Sequence, residues 1–216
     1  MAVFLRWMIR IVSVALALSV AGVLVAYWVF SRSIPDYDAE WSVPGLQGRL
    51  EIVRSNANVP HIYGESDQDV YYGLGFVHAQ DRLWQMLMMR RTVQGRLSEL
   101  FGQRTVQADT LLRRLDLYGY ANRSVAAQDP ETLAMLEAYS AGVNAWLELV
   151  AEEALGRGAP ELLLFSPEIA PWRPADSIAI MNLMALQMTG QQEAEVLRAR
   201  ASLALNDPAR LADILP

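Results

Sequence analysis

The sequence predicts a mainly α-helical domain with a short β-hairpin at its N-terminal side, preceded by one transmembrane helix. Three observations carry this. Residues 11–30 form an uncharged, almost wholly apolar run. Two short β-branched stretches flank the Asn-rich turn Ser55-Asn56-Ala57-Asn58. From Ser66 onward, apolar residues recur at three- and four-residue spacings between helix-start and helix-stop signals.

The apolar run comes first. At about 1.5 Å per residue, a helix over 11–30 spans roughly the 30 Å hydrocarbon core of a bilayer. Arg6 and Arg10 precede it, and no acid appears before Asp36. That asymmetry places the N-terminus in the cytoplasm and the remainder outside, with Tyr27 and Trp28 at the outer interface. The length favours an uncleaved signal anchor over residues 1–30 in an inner membrane, with the bulk of the chain facing the periplasm. Ser19-Val20-Ala21 is nevertheless a small-x-small site, which leaves open a secreted form released by signal cleavage.

Residues 31–48 read as a linker, broken by Pro35, Pro44, Gly45 and Gly48. Leu50 and Ile52 on one side of the Asn-rich turn, and Val59 and Ile62 on the other, make the hairpin. Pro60 confines the second strand to an edge, because proline cannot donate to a ladder. Ser66, followed by Asp67 and Asp69, caps a helix that runs through Met89. Gly95 and Gly102 bracket a short helix, and Asp109–Ala127 is expected as one further helix with Leu111, Leu112, Leu115 and Tyr118 on one side. Asp129-Pro130 opens the next, with Leu133, Leu136, Tyr139, Val143, Trp146, Leu147 and Val150 on a 3.6-residue period. Asp176 caps a helix that is apolar almost all round and so is expected to be buried; Glu193–Leu205 continues beyond Gly190.

Composition removes several chemistries. The chain has no cysteine and no lysine, and only two histidines, His61 and His78. Disulfides, thiolate metal sites, a lysine-dependent phosphate loop and a Schiff-base lysine are therefore excluded. The formal charge of −6 argues against a nucleic-acid partner. There is no GxSxG and no HExxH, and Gly73–His78 begins like a dinucleotide loop but carries His78 where the third glycine belongs. His61 and His78 read as structural hydrogen-bonding residues. Asp81, Arg82, Arg90, Arg91, Arg96 and Glu99 read as arginines pairing with carboxylates rather than as a binding patch, and Met86, Met88 and Met89 as core fillers.

The order of motifs says more than any one of them. Leu50–Arg54 (LEIVR), Val59–Tyr63 (VPHIY), Gly75–Met86 (GFVHAQDRLWQM), Arg90-Arg91 and Gly95–Gly102 (GRLSELFG) follow in sequence. Tyr139–Trp146 (YSAGVNAW), Phe165-Ser166-Pro167 with Trp172 and Asp176, and Leu197–Arg200 (LRAR) complete the series. Over residues 49–216 this resembles the start of the α chain of the penicillin acylase family, whose members act on penicillins, cephalosporin side chains and acyl-homoserine lactones.

The resemblance implies an αββα N-terminal-nucleophile hydrolase made as a precursor that cuts itself before a serine, usually after glycine. The new terminal serine of the β chain attacks an amide carbonyl, its own α-amine serving as base, since such an amine titrates near pH ~8. None of the 13 glycines here is followed by serine, threonine or cysteine. No catalytic residue is therefore assigned within the chain, which is expected to be inactive without its β-chain partner. The resemblance also places one ligand of a structural calcium ion on Glu195, with Glu193 as rival. It needs β-chain oxygens for the rest, because calcium takes 6–8; no organic cofactor is implied. An acyl-pocket arginine–phenylalanine pair of members that act on penicillin G falls on Met188 and Thr189. That departure suits a different acyl group, such as a longer aliphatic one. The other reading is a non-catalytic, membrane-tethered binding or scaffold domain derived from such an acylase.

Overall fold

The computed structural model describes residues 2–31, 33–153, 158–165, 168–188, 192–205 and 210. Helix α1 is Ala2–Ser31. It begins at Ala2 rather than at Ile11, because Leu5, Trp7 and Met8 continue the helix through Arg6 and Arg10. The mean hydropathy of its most apolar window is 2.3 and none of that window is buried. This is a helix long and apolar enough to be a membrane span or a signal sequence.

Residues 37–47, within the segment expected as a linker, lie against the domain. Tyr37 sits under the Arg54 guanidinium at 4.0 Å. Trp41 packs on Phe76 and Trp146, with ring centroids at 5.6 and 6.0 Å. The Pro44 carbonyl accepts from the Tyr72 hydroxyl at 2.9 Å, and the Gln47 N–H donates to Asp69 at 2.8 Å. Proline and glycine signals report only that the backbone is irregular. They do not report whether the side chains find a surface.

Strands β1 (Glu51–Arg54) and β2 (Pro60–Tyr63) pair antiparallel with Ile52 opposite Ile62. This is the expected hairpin. Helix α2 (Asp67–Val93) is capped by Ser66, which accepts from the Asp69 N–H, and it is kinked at Arg82. It crosses α6 (Pro130–Glu153) in the most extensive helix pairing of the chain. The crossing brings two backbones into contact. A methyl group on Gly75 would overlap the Tyr139 carbonyl oxygen, and one on Gly142 would overlap that of Tyr72. Each glycine is the notch into which the other helix settles. Around the crossing lie Tyr72, Phe76, Ala79, Met86, Val143 and Trp146. Met86 is buried, as expected of a core filler, and Met88 lines a smaller cluster around Leu83, Leu87 and Leu162.

Between the long helices lie α3 (Ser98–Phe101), a 3₁₀ turn (Gly102–Thr105), α4 (Val106–Leu115) and α5 (Leu117–Val125). The single helix expected over Asp109–Ala127 is thus two. The break is Asp116, whose φ of 50° is left-handed. Aspartate tolerates that conformation better than most residues, and it ends α4 there. Leu111, expected on the packed side, is exposed, while Leu112 and Ala121 are buried. After α6 come a 3₁₀ turn (Pro160–Leu163), α7 (Pro174–Met188) and α8 (Gln192–Leu205).

Asp109 is buried, and its two carboxylate oxygens accept from the Leu97 and Ser98 N–H groups at 2.9 and 2.7 Å. Burial would raise its pKa, but these hydrogen bonds and nearby Arg113 outweigh it and hold the carboxyl below its ordinary value of 3.8. The ionised form is favoured by the fold. Its stabilisation is complete above the ordinary value and is lost as pH falls through the lower folded value. Amide exchange at Leu97 and Ser98 is therefore expected to stay slow down to pH ~4 and to accelerate below it. In Asp109→Asn that pH step should vanish. An unchanged acid profile in the variant would remove Asp109 as its cause.

Candidate functional site

The region to which the sequence assigned acyl-pocket and metal residues is the C-terminal end of α7 and the following α8. What fixes α7 is its first turn. Arg173 is the N-cap, Pro174 the first helical residue and Asp176 the third. Asp176 is therefore not itself the cap: it reaches back to accept the Arg173 N–H at 2.8 Å, as the third residue of a capping box does. The same carboxylate accepts from the Tyr118 hydroxyl at 2.8 Å and from Arg90 at 3.5 Å. Asp176 is 1% exposed and Arg90 6%.

Burial pulls the Arg90 guanidinium down from its ordinary range, and Asp176 pulls it back up. Arg90 also donates to the Ala170 and Pro171 carbonyls at 3.0 and 3.3 Å, and lies over the Trp172 ring at 5.1 Å. Asn144 on α6 clamps the Trp172 backbone from both sides: its amide donates to the carbonyl at 3.0 Å, and its oxygen accepts from the N–H at 2.6 Å. Arg90, Asn144, and the pair Trp172 and Asp176 come from three separate sequence motifs and meet as one lock.

The other motifs meet in the same way. Arg54 of β1 donates to Gln80 at 2.7 Å and to both oxygens of Asp81 at 2.8 and 3.0 Å. Glu99 accepts from Arg91 and Arg96, each at 2.6 Å, and the Arg96 contact holds its carboxyl below the ordinary range. Arg90, Arg91 and Arg96 do pair with carboxylates, as expected, whereas Arg82 is exposed and makes no ion pair among the described residues. His78 Nδ1 lies 3.0 Å from the Tyr139 hydroxyl. Burial lowers the imidazole below 6.5, with Asp81 opposing. That is a structural hydrogen bond of the expected kind, and it is burial that favours the neutral imidazole. None of these polar clusters pairs a nucleophile with a base.

The far end of α7 is open. Ala175, Asp176, Ile178, Ala179 and Leu183 are buried, and Ile178, Ala179 and Leu183 pack with Val93, Leu112 and Ala121. Met181, Met184 and Met188 are exposed, at positions i, i+3 and i+7 of the opposite face. The helix expected to be buried all round is therefore buried on one side only. Met188 is 84% exposed at the last residue of α7. Thr189 lies outside the described residues, as does the side chain of Glu193. Glu195 is exposed on α8. Among the described residues no group of three or more histidine, aspartate or glutamate side chains is placed to hold a metal ion. Glu195 by itself falls far short of a calcium shell. Sequence reasoning missed Met181 and Met184, although their spacing from Met188 was there to be read.

Comparison with known proteins decides the family. The profile described as penicillin amidase matches residues 49–216. The chain belongs to the penicillin amidase family. Within it, penicillin acylase 2 proenzyme of Pseudomonas sp. (strain SE83) is 40% identical over 159 residues, covering 72% of this chain and 20% of that protein. Penicillin G acylase of Escherichia coli is 36% identical, covering 63% of this chain and 16% of that protein. Acyl-homoserine lactone acylase QuiP of Pseudomonas fluorescens (strain Pf0-1) is 31% identical, with 83% and 22% covered. The chain thus spans about a fifth of the length of these curated relatives. Among solved structures, thermostable penicillin G acylase from Alcaligenes faecalis superposes with a TM-score of 0.62 at 28% identity, covering 78% of this chain and 89% of that one. The mainly helical architecture with its two-stranded sheet is accordingly similar to that of a penicillin G acylase.

Proposed function

We propose that this chain is the helical α-chain portion of an amidohydrolase that cleaves an acylated amine, of the β-lactam side-chain or acyl-homoserine lactone type. The observation that carries the reading is the family match over the whole of residues 49–216. The nucleophilic serine is supplied by a β chain of the same precursor, since no glycine here precedes a serine, threonine or cysteine. Together the two chains complete the αββα core. The exposed methionine face of α7 supports this reading, because it is an apolar surface that a second chain would cover. Residues 11–30 hold the assembly at the inner membrane with the domain in the periplasm, or are removed on secretion.

In the assembled enzyme Met188 and Thr189 line the acyl pocket and favour a longer aliphatic acyl group. Glu195 supplies one oxygen to a calcium ion whose other ligands come from the β chain. This chain's own contribution is positional: the Arg90–Asp176 lock fixes the start of α7, and so sets where its far end presents Met188.

The test uses chromogenic phenylacetyl and octanoyl amides. The purified chain is expected to hydrolyse neither. Co-expression with a β chain of the family that begins with serine is expected to give activity, with the octanoyl substrate preferred. Met188→Arg in that assembly should move the preference toward phenylacetyl by about tenfold, a change of about 1.4 kcal/mol in relative transition-state binding. Turnover by the isolated chain would overturn the placement of the nucleophile. An unchanged acyl preference in Met188→Arg would overturn the pocket assignment.

A further inference from the structure

Away from the open end of α7, a cavity of about 480 Å³ lies where α2 ends, between α4, α5 and the residue that caps α7. Val93, Leu112 and Tyr118 give it an apolar floor, and three guanidinium groups, Arg96, Arg113 and Arg173, line it. Its size falls within the range of roughly 300–1,000 Å³ typical of small-molecule sites.

The charge around it is unusual for this chain. The whole sequence carries −6, yet residues 90–125 hold seven arginines and three acids. Those acids have other partners. Glu99 is taken by Arg91 and Arg96. Both oxygens of Asp109 are taken by the backbone of Leu97 and Ser98. Asp116, which also borders the cavity, pairs with Arg123 at 3.3 Å.

Two cavity arginines are left without an ion pair among the described residues. Arg113 spends its Nε on the Gly95 carbonyl at 2.7 Å, and that is its hydrogen bond. Arg173 donates from Nη2 to the Tyr118 hydroxyl. Each retains guanidinium N–H groups, and a carboxylate is the acceptor that matches such a fork.

We propose that this cavity binds a small monocarboxylate carrying an apolar body. The carboxylate is held by Arg113 and Arg173, and the body rests on Leu112, Val93 and the Tyr118 ring. The apolar floor is what favours such an amphiphile over an inorganic anion, which would leave that floor uncovered. The proposal does not rest on the amide-hydrolysis reading, and it stands or falls on binding alone.

The experiment is calorimetric titration of hexanoate into the full chain held in lipid nanodiscs, with empty nanodiscs subtracted. Saturable one-to-one binding is expected. Hexanamide and inorganic phosphate should each bind at least tenfold more weakly. Arg113→Gln and Arg173→Gln should each weaken hexanoate at least tenfold, Arg113→Lys should recover part of the loss, and Arg104→Gln, outside the cavity, should bind as the parent does. Thermal melts of each variant separate loss of the site from loss of the fold, and Arg113→Lys keeps the charge if Arg113→Gln melts early. Absence of saturable binding, equal affinity for hexanamide or phosphate, or full affinity in folded Arg113→Gln and Arg173→Gln would overturn the proposal.

Discussion

Gly142→Ala is expected to destabilise the domain by about 3 kcal/mol or more, at the upper end of what overpacked cores lose. The added methyl would sit inside the van der Waals envelope of the Tyr72 carbonyl oxygen, near the Phe76 N–H. Both obstacles are backbone, so no rotamer change relieves the overlap. The two long helices must part instead, and with them the Phe76–Trp146 contact, whose ring centroids are 5.4 Å apart. Trp146 is 1% exposed and is the largest fully buried side chain, so even a small separation uncovers much of the core. For a chain of this size the loss corresponds to a fall in melting temperature of roughly 6–12 °C. Gly75→Ala, which meets the Tyr139 backbone, should behave alike. Gly22→Ala is the control: its methyl meets nothing, and it lies in α1. Circular-dichroism melts of the full chain in detergent decide the matter. A Gly142→Ala melt indistinguishable from that of Gly22→Ala would mean that the crossing is not as close as described.

Asp176→Ala should cost a comparable amount, about 3–5 kcal/mol, for a different reason. It leaves the buried Arg90 charge without its counter-ion and removes acceptors from the Tyr118 hydroxyl and the Arg173 N–H. The unpaired charge is the larger part of that penalty, because desolvation is uncompensated once the carboxylate is gone. The same substitution in an Arg90→Met background should therefore cost at least 1 kcal/mol less than in the parent, a coupling typical of residues in direct contact. Urea denaturation of the two single variants and the double variant measures it. Strict additivity would show that Arg90 and Asp176 do not depend on each other.

The elements that could be read from sequence are those whose signals are local. Ser66 caps α2 because its hydroxyl needs only the N–H three residues on. Asp129 does the same for α6, accepting from Thr132 at 2.9 Å. The hairpin register follows from a four-residue turn that places Ile52 opposite Ile62. Motif order also gave the family. By contrast, the sequence predicts one helix over Asp109–Ala127 because an amphipathic period continues across Asp116, where a single left-handed residue ends α4. The role of residues 37–47 was not legible either, since Trp41 and Tyr37 find their partners on α2, α6 and β1.

By itself, then, the sequence determined the apolar N-terminal helix, the hairpin, the starts of the main helices and the complement of arginines and acids that would have to pair. Only the tertiary structure decided which arginine meets which acid, and which side of α7 remains open. Arg90 and Asp176 are 86 residues apart, and nothing within a helical turn of either specifies the other. Their meeting depends on how closely α2 and α6 approach, which Gly75 and Gly142 permit, and on Asn144 clamping the Trp172 backbone just ahead of α7. On a helix that is apolar all round, hydrophobicity does not say which face is buried. Contact with α5 and the end of α2 chose the side of Ala179 and Leu183, and left Met181, Met184 and Met188 facing outward.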